Sequence, residues 1–158
     1  MSPPKPLYFP IRLEDKLPEI RQRTLGGQHQ VYDPVRKKFV VWQPEEMVRQ
    51  LLIQYLSSTH QIPYSRMAVE RGMMINGQRK RFDLVIYDKK GCPWMLAECK
   101  AFDVTLSSHT AIQTANYNSL LLCPYLLMTN GPTCLLCKVE FLTGEVQFLS
   151  TFPEPFKD

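Results

Sequence analysis

Three short stretches between Met67 and Lys100 alternate apolar runs with turn residues and set the frame of the chain. Met67 to Ile75 reads as a strand closed by Asn76-Gly77, a strong hairpin signal. Arg81-Phe82-Asp83-Leu84-Val85-Ile86-Tyr87 follows as a second strand, and its continuous apolar run from Leu84 implies cover on both faces. Lys89-Lys90-Gly91 turns the chain into Trp94-Met95-Leu96-Ala97-Glu98-Cys99-Lys100, the third strand of a meander. That strand begins apolar and ends in an acid and a base two residues apart, so Glu98 and Lys100 emerge on one face. Asp83, where the second strand turns apolar, is a carboxylate with little water around it.

Helical spacing governs the flanks. In Pro44 to Leu56, Val48, Leu51, Leu52 and Tyr55 form one apolar stripe, Pro44 suits the first helical position, and Glu45-Glu46 suit the positive end of the dipole. At 100° per residue Glu45 lies nearer the stripe than Glu46, with Arg49 four residues on. Ser107 or Ser108 caps a second helix running to about Leu122, on which Gln113 and Tyr117 share a face. Tyr125 to Thr129 is a buried strand, and the helix before it implies a right-handed parallel crossover from the Trp94 strand. Thr133 to Glu140 and Glu145 to Leu149 form a hairpin over Thr143-Gly144. Upstream, Val31 to Val41 reads as a hairpin with Arg36-Lys37-Lys38 near its tip, and residues 1–30, rich in proline, read as an irregular arm turned at Gly26-Gly27. The expectation is one α/β domain over residues 1–158 with its core in 44–131.

Composition narrows the class. The 158 residues suffice for one domain, and 44% hydrophobic with 22% charged residues is ordinary for a globular chain. The net charge of +4 is compatible with an anionic partner. No apolar run approaches the roughly 18 residues of a membrane span, and Met1-Ser2-Pro3-Pro4 opens no signal-peptide core, so a cytoplasmic protein without membrane contact is expected. Five cysteines, most in or beside apolar runs, suit reduced buried thiols. Cys134-Leu135-Leu136-Cys137 has zinc-like spacing but lacks a second pair, and no zinc is expected. His29, His60 and His109 are scattered and read as solvent-facing or capping groups.

Asp83 followed by Glu98-x-Lys100 is the pattern with chemistry. Mg²⁺ prefers oxygen ligands, keeps several waters and needs only one or two carboxylates. A lysine beside it can orient or deprotonate water and stabilise developing negative charge. The same spacing also describes a partly exposed ion pair worth about 0–1 kcal/mol, and spacing alone leaves both readings open.

Pro44-Glu45-Glu46-Met47-Val48-Arg49-Gln50, Arg81-Phe82-Asp83-Leu84-Val85, Ala97-Glu98-Cys99-Lys100, Gln113-x3-Tyr117 and Thr129-Asn130-Gly131 together resemble the N-terminal nuclease domain of type I restriction enzyme R subunits. The resemblance runs from about Asp33 to Gly131. It implies a PD-(D/E)xK, restriction-endonuclease-like fold: a mixed central sheet of about four strands flanked by helices, here with extra hairpins at both ends. It also implies DNA cleavage with Mg²⁺, or Mn²⁺ in its place. By that likeness Asp83 and Glu98 are metal ligands, Lys100 is the catalytic base or charge stabiliser, and Glu45 is the helix acid, with Glu46 as its alternative. Gln113 and Tyr117 match a motif that positions the site and the nearby DNA backbone. R subunits carry an ATP-driven motor, whereas this sequence holds no G-x4-G-K-[ST] loop. No ATP use is expected, and the chain resembles the small stand-alone proteins of the family.

Arg36-Lys37-Lys38 and Arg79-Lys80-Arg81 are short basic clusters, read either as a solvated face or as phosphate contacts flanking the site. DNA is the expected partner, and a homodimer is the arrangement that gives a double-strand cutter two sites. The competing reading is a non-catalytic DNA-binding or assembly module that retains the nuclease fold.

Overall fold

The computed structural model describes residues 5–75, 77–117 and 121–155. Among these, a three-stranded antiparallel sheet holds β1 (Gln22–Leu25), β2 (Gln28–Asp33) and β3 (Lys38–Val41). Helix α1 (Pro44–His60) follows. A six-stranded mixed sheet then runs in spatial order β4 (Met67–Ile75), β5 (Gln78–Tyr87), β6 (Pro93–Cys99), β7 (Tyr125–Thr129), β8 (Cys134–Glu140) and β9 (Glu145–Phe148). All neighbours in it are antiparallel except β6 and β7, which are parallel and joined across α2 (Ser108–Tyr117).

The apolar runs of the central strands divide between two layers by their period of two. Leu84, Ile86, Met95, Ala97, Leu127 and Leu136 pack with Val48, Leu51, Leu52 and Leu56 of α1 and with Phe9, Ile11 and Leu13 of the N-terminal segment. Val85, Leu96, Leu126, Met128 and Leu135 pack on the other face with Leu106 and Ala111 at the α2 end. Cys134 and Cys137 fall into opposite layers, so the two thiols of the zinc-like spacing face away from one another.

Helix α1 starts as its sequence dictates, with Pro44 in the first turn after an extended Gln43. It ends at Gln61, which adopts the left-handed conformation (φ 57°) and donates its N–H to the Leu56 carbonyl. Helix α2 is capped by Ser107, whose Oγ accepts from the Thr110 N–H at 3.3 Å.

Three expectations change. The expected mixed sheet of about four strands is extended to six, because the closing hairpin pairs through β8 onto β7. Residues 22–30, expected irregular, form β1 and the start of β2 around the Gly26-Gly27 turn. Helix α1 also runs four residues past Leu56.

Leu52 is fully buried between α1 and the sheet, whereas Leu142 in the last hairpin is 96% exposed. Leu52→Ala is expected to cost about 2–5 kcal/mol in urea unfolding, and Leu142→Ala less than about 0.5.

Candidate functional site

The β5–β6 register pairs Leu84 with Ala97, and one further step sets Asp83 opposite Glu98. Alternation along β6 sets Glu98 on the side of Leu96, whereas at Asp83 the alternation of β5 breaks, with Phe82 and Val85 in one layer and Leu84 in the other, and Asp83 meets Arg49 of α1. The Cys99 backbone N–H donates to Asp83 Oδ2 at 2.8 Å and ties the two strand ends together through the carboxylate. Burial, then the charge of Asp83 and a hydrogen bond with it, push the Glu98 carboxyl up from 4.5 to about 8, while Lys100 and Arg49 pull it down. The protonated form of Glu98 is thus favoured beside the Asp83 carboxylate. Lys100 is half-buried, and its backbone N–H donates to the Thr129 carbonyl at 2.8 Å.

The loop after β7 steadies that end of the sheet. Thr129 Oγ1 accepts from the Gly131 N–H at 3.0 Å and donates to the Thr133 carbonyl, and Asn130 Nδ2 donates to the Val104 carbonyl at 2.8 Å. Gly131 has φ +103°, a conformation that favours glycine, and a Cβ there would lie 3.2 Å from the Phe102 ring and oblige it to shift.

A chain of alternating charge leads away from the pair. Arg49, buried in α1, sets Nη2 3.4 Å from Asp83 Oδ1 and Nη1 3.1 Å from Glu46 Oε2. Arg36, in the turn between β2 and β3, donates to Asp33, to Glu46 Oε1 at 2.9 Å and to Glu70 Oε2 at 3.3 Å. Gln50 Nε2 donates to Glu46 at 2.9 Å. Burial works against the charge of Arg36, and Asp33 and Glu46 outweigh it and hold the guanidinium above its ordinary range.

Helix geometry alone favoured Glu45, yet Glu45 is exposed and Glu46 is the acid drawn inward. The reason is tertiary: two guanidinium groups and an amide converge on position 46. Arg36 is likewise not a free phosphate contact, since its donors are spent on three carboxylates. Lys37 and Lys38 are exposed beside it. Arg79 is exposed with its guanidinium lying over Gly72, Lys80 is half-buried, and Arg81 is exposed 4.0 Å from Glu70. Gln113 is exposed on α2 and makes no hydrogen bond to the carboxylates among the described residues. The side chain of Tyr117 lies outside the described part of the structure.

Sequence reasoning passed over Glu70. It sits within β4 at φ 52°, and the β4–β5 pairing skips from Val69–Leu84 to Arg71–Phe82, leaving Glu70 unpaired across from Asp83. A left-handed non-glycine residue costs about 1–2 kcal/mol, and here it delivers a carboxylate to Arg36 and Arg49. The only signal in the sequence is a lone acid inside an otherwise strand-like run.

Two hard oxygen donors in contact suit Mg²⁺, which keeps waters in its remaining positions. No third carboxylate, histidine or cysteine completes a metal-binding group with them among the described residues. Asp83 and Glu98 are the two carboxylates that could hold such an ion, and Asp83 already accepts from the Cys99 N–H and faces Arg49.

The raised Glu98 sets the sign of a pH effect. Between pH 4.5 and about 8 the folded protein holds a proton that the unfolded chain has released, so stability falls as pH rises through that window. In metal-free buffer at pH 8.5, Glu98→Gln is expected to be more stable than the wild type by on the order of a few kcal/mol, with the difference vanishing below pH 4.5. Denaturant unfolding across the range checks this, and equal slopes for both proteins would exclude a shifted Glu98.

Comparison with known proteins places the chain. None of the curated proteins matches it. It is similar to a solved fragment assigned as an HsdR subunit of a type I restriction enzyme from Vibrio vulnificus YJ016, with 20% identity and a TM-score of 0.50. That match covers 72% of this chain and 24% of the solved one, so this chain spans about a quarter of that length and the likeness speaks for the fold. No helix among the described residues is long and apolar enough to cross a membrane. The profile described as "Type I restriction enzyme R protein N terminus (HSDR_N)" matches residues 44–153, from the start of α1 through β9. With more than half its length matched, the chain belongs to the family of type I restriction enzyme R protein N-terminal domains.

Proposed function

We propose that this protein is a Mg²⁺-dependent DNA endonuclease-like domain that hydrolyses phosphodiester bonds by PD-(D/E)xK chemistry. One observation carries the reading: Asp83 and Glu98 converge from neighbouring strands, and Lys100 follows two residues on, near enough to act on the Glu98 charge. When bound, Mg²⁺ polarises the scissile phosphoryl oxygen and lowers the pKa of a coordinated water. Asp83 and Glu98 would hold it as carboxylates, with Glu98 giving up its proton to solvent. Lys100 orients the attacking water or stabilises charge on the phosphate. Glu46, Arg36 and Glu70 hold Arg49 in place against Asp83, and Gln113 and Tyr117 are left to meet the DNA backbone. Cleavage of both strands needs a second site and hence a second copy of the chain.

One observation favours a second reading, a non-catalytic DNA-binding or assembly module: the Arg49 guanidinium already lies 3.4 Å from Asp83, a cation in contact with a proposed ligand.

Incubating supercoiled plasmid and single-stranded DNA with Mg²⁺ or Mn²⁺ tests the first reading. Lys100→Ala is expected to lose about 10²–10⁴-fold in rate, and equal cleavage by both proteins would remove Lys100 from the mechanism. Calorimetry supplies a readout independent of turnover. Mg²⁺ should release heat on binding the wild type and not Asp83→Ala, and silence in both, together with intact plasmid, would favour the second reading.

A further inference from the structure

The sheet β1–β3 lies outside the carboxylate pair, and its charge is one-sided. Residues 21–42 hold five cations, Arg21, Arg23, Arg36, Lys37 and Lys38, against one acid, Asp33. That difference of four equals the net charge of the whole chain, so the remaining residues balance to zero. Asp33 is fully buried and pairs with Arg36. The cations that face water are Arg21, Arg23, Lys37 and Lys38.

Strand geometry places two of them. Val31 and Asp33 of β2 point to the core, so Tyr32 points outward, opposite Phe39 of β3. The two rings meet edge-on with centroids 5.2 Å apart. The Arg21 guanidinium carbon lies 4.5 Å from the Tyr32 centroid, and that of Arg23 lies 3.9 Å from the Phe39 centroid. Arg23 Nε donates to Gln30 Oε1 at 2.8 Å, which fixes its plane. Among the described residues neither arginine forms an ion pair with a carboxylate. A guanidinium stacked on a ring keeps its N–H edge open for phosphate oxygens, and stacking lowers the entropy lost on binding.

We infer that this outer face, with Lys37 and Lys38 at its turn, is a surface for the sugar–phosphate backbone of nucleic acid. Charge complementarity commits it to a polyanion. Stacked guanidinium groups with ring edges between them fit a phosphate chain that also offers bases. The surface is locked to the carboxylate pair, since Arg36 in the same turn bonds Glu46 and Glu70. The inference deepens the nuclease reading by naming where its substrate lies, and it rests on that reading only for the choice of DNA.

The test is fluorescence anisotropy of short labelled duplex and single-stranded DNA over a salt series, with the full chain in EDTA so that no cleavage occurs. Replacing Arg21 and Arg23 together by Gln should weaken binding at least about tenfold and flatten the log–log salt slope by about two. Lys at both positions should recover the slope. Lys37→Gln with Lys38→Gln, which touches no ring, should flatten the slope in the same way and serves if the arginine pair fails to fold. Unchanged affinity and slope in the glutamine variants overturns the proposal. So does wild-type binding of poly-glutamate as tight as that of DNA, which would assign the face to an acidic protein. If the arginine pair governs binding while no cation supports cleavage, the surface stands and the nuclease reading fails. If the glutamine pair binds and cleaves like the wild type, the reverse holds.

Discussion

Partly buried carboxylates gather at one end of the large sheet. Asp33, Glu46, Glu70, Asp83 and Glu98 are gathered there, while Arg36 and Arg49 are the guanidinium groups shared among them. Gathering like charges out of water is costly unless each finds a partner or a proton. Four of the five acids find an arginine, and Glu98, last in the chain, takes a proton. The cluster thus concentrates carboxylates and their compensating cations at one point of the fold.

The scaffold explains why this crowding is tolerated. The carboxylates come from the end of β2, a helix, two neighbouring strands and the edge strand, and each element is fixed by apolar burial elsewhere. Leu84 and Ala97 hold β5 and β6 in register one residue from the acids, and Val48 and Leu52 hold α1 against the same layer. Hydrophobic packing on both faces thus pins groups that would otherwise repel one another.

Much of this was legible from the chain alone. Continuous apolar runs declared strands covered on both sides, and the order of elements declared the parallel crossover at β6 and β7. The spacing from Asp83 to Glu98 was readable because neighbouring strands in a meander must bring their ends together. What escaped depends on partners distant in sequence. Gln22 to Gln30 has polar side chains on both faces, so no alternation marks β1 or the start of β2. The choice between Glu45 and Glu46 is made by Arg36, ten residues upstream of Glu46, and no helical wheel contains that information. Glu70 depends on a backbone conformation that residue type disfavours.

The left-handed residue in β4 reaches beyond the carboxylates. β4 is the outer margin of the six-stranded sheet, and an uninterrupted margin of backbone donors and acceptors invites another chain to add a strand. Glu70 breaks the extended run midway, so a strand arriving there finds correct spacing only on either side of the break. One kink therefore both aims an acid inward and guards the sheet against end-on growth, linking solubility to the arrangement of the site.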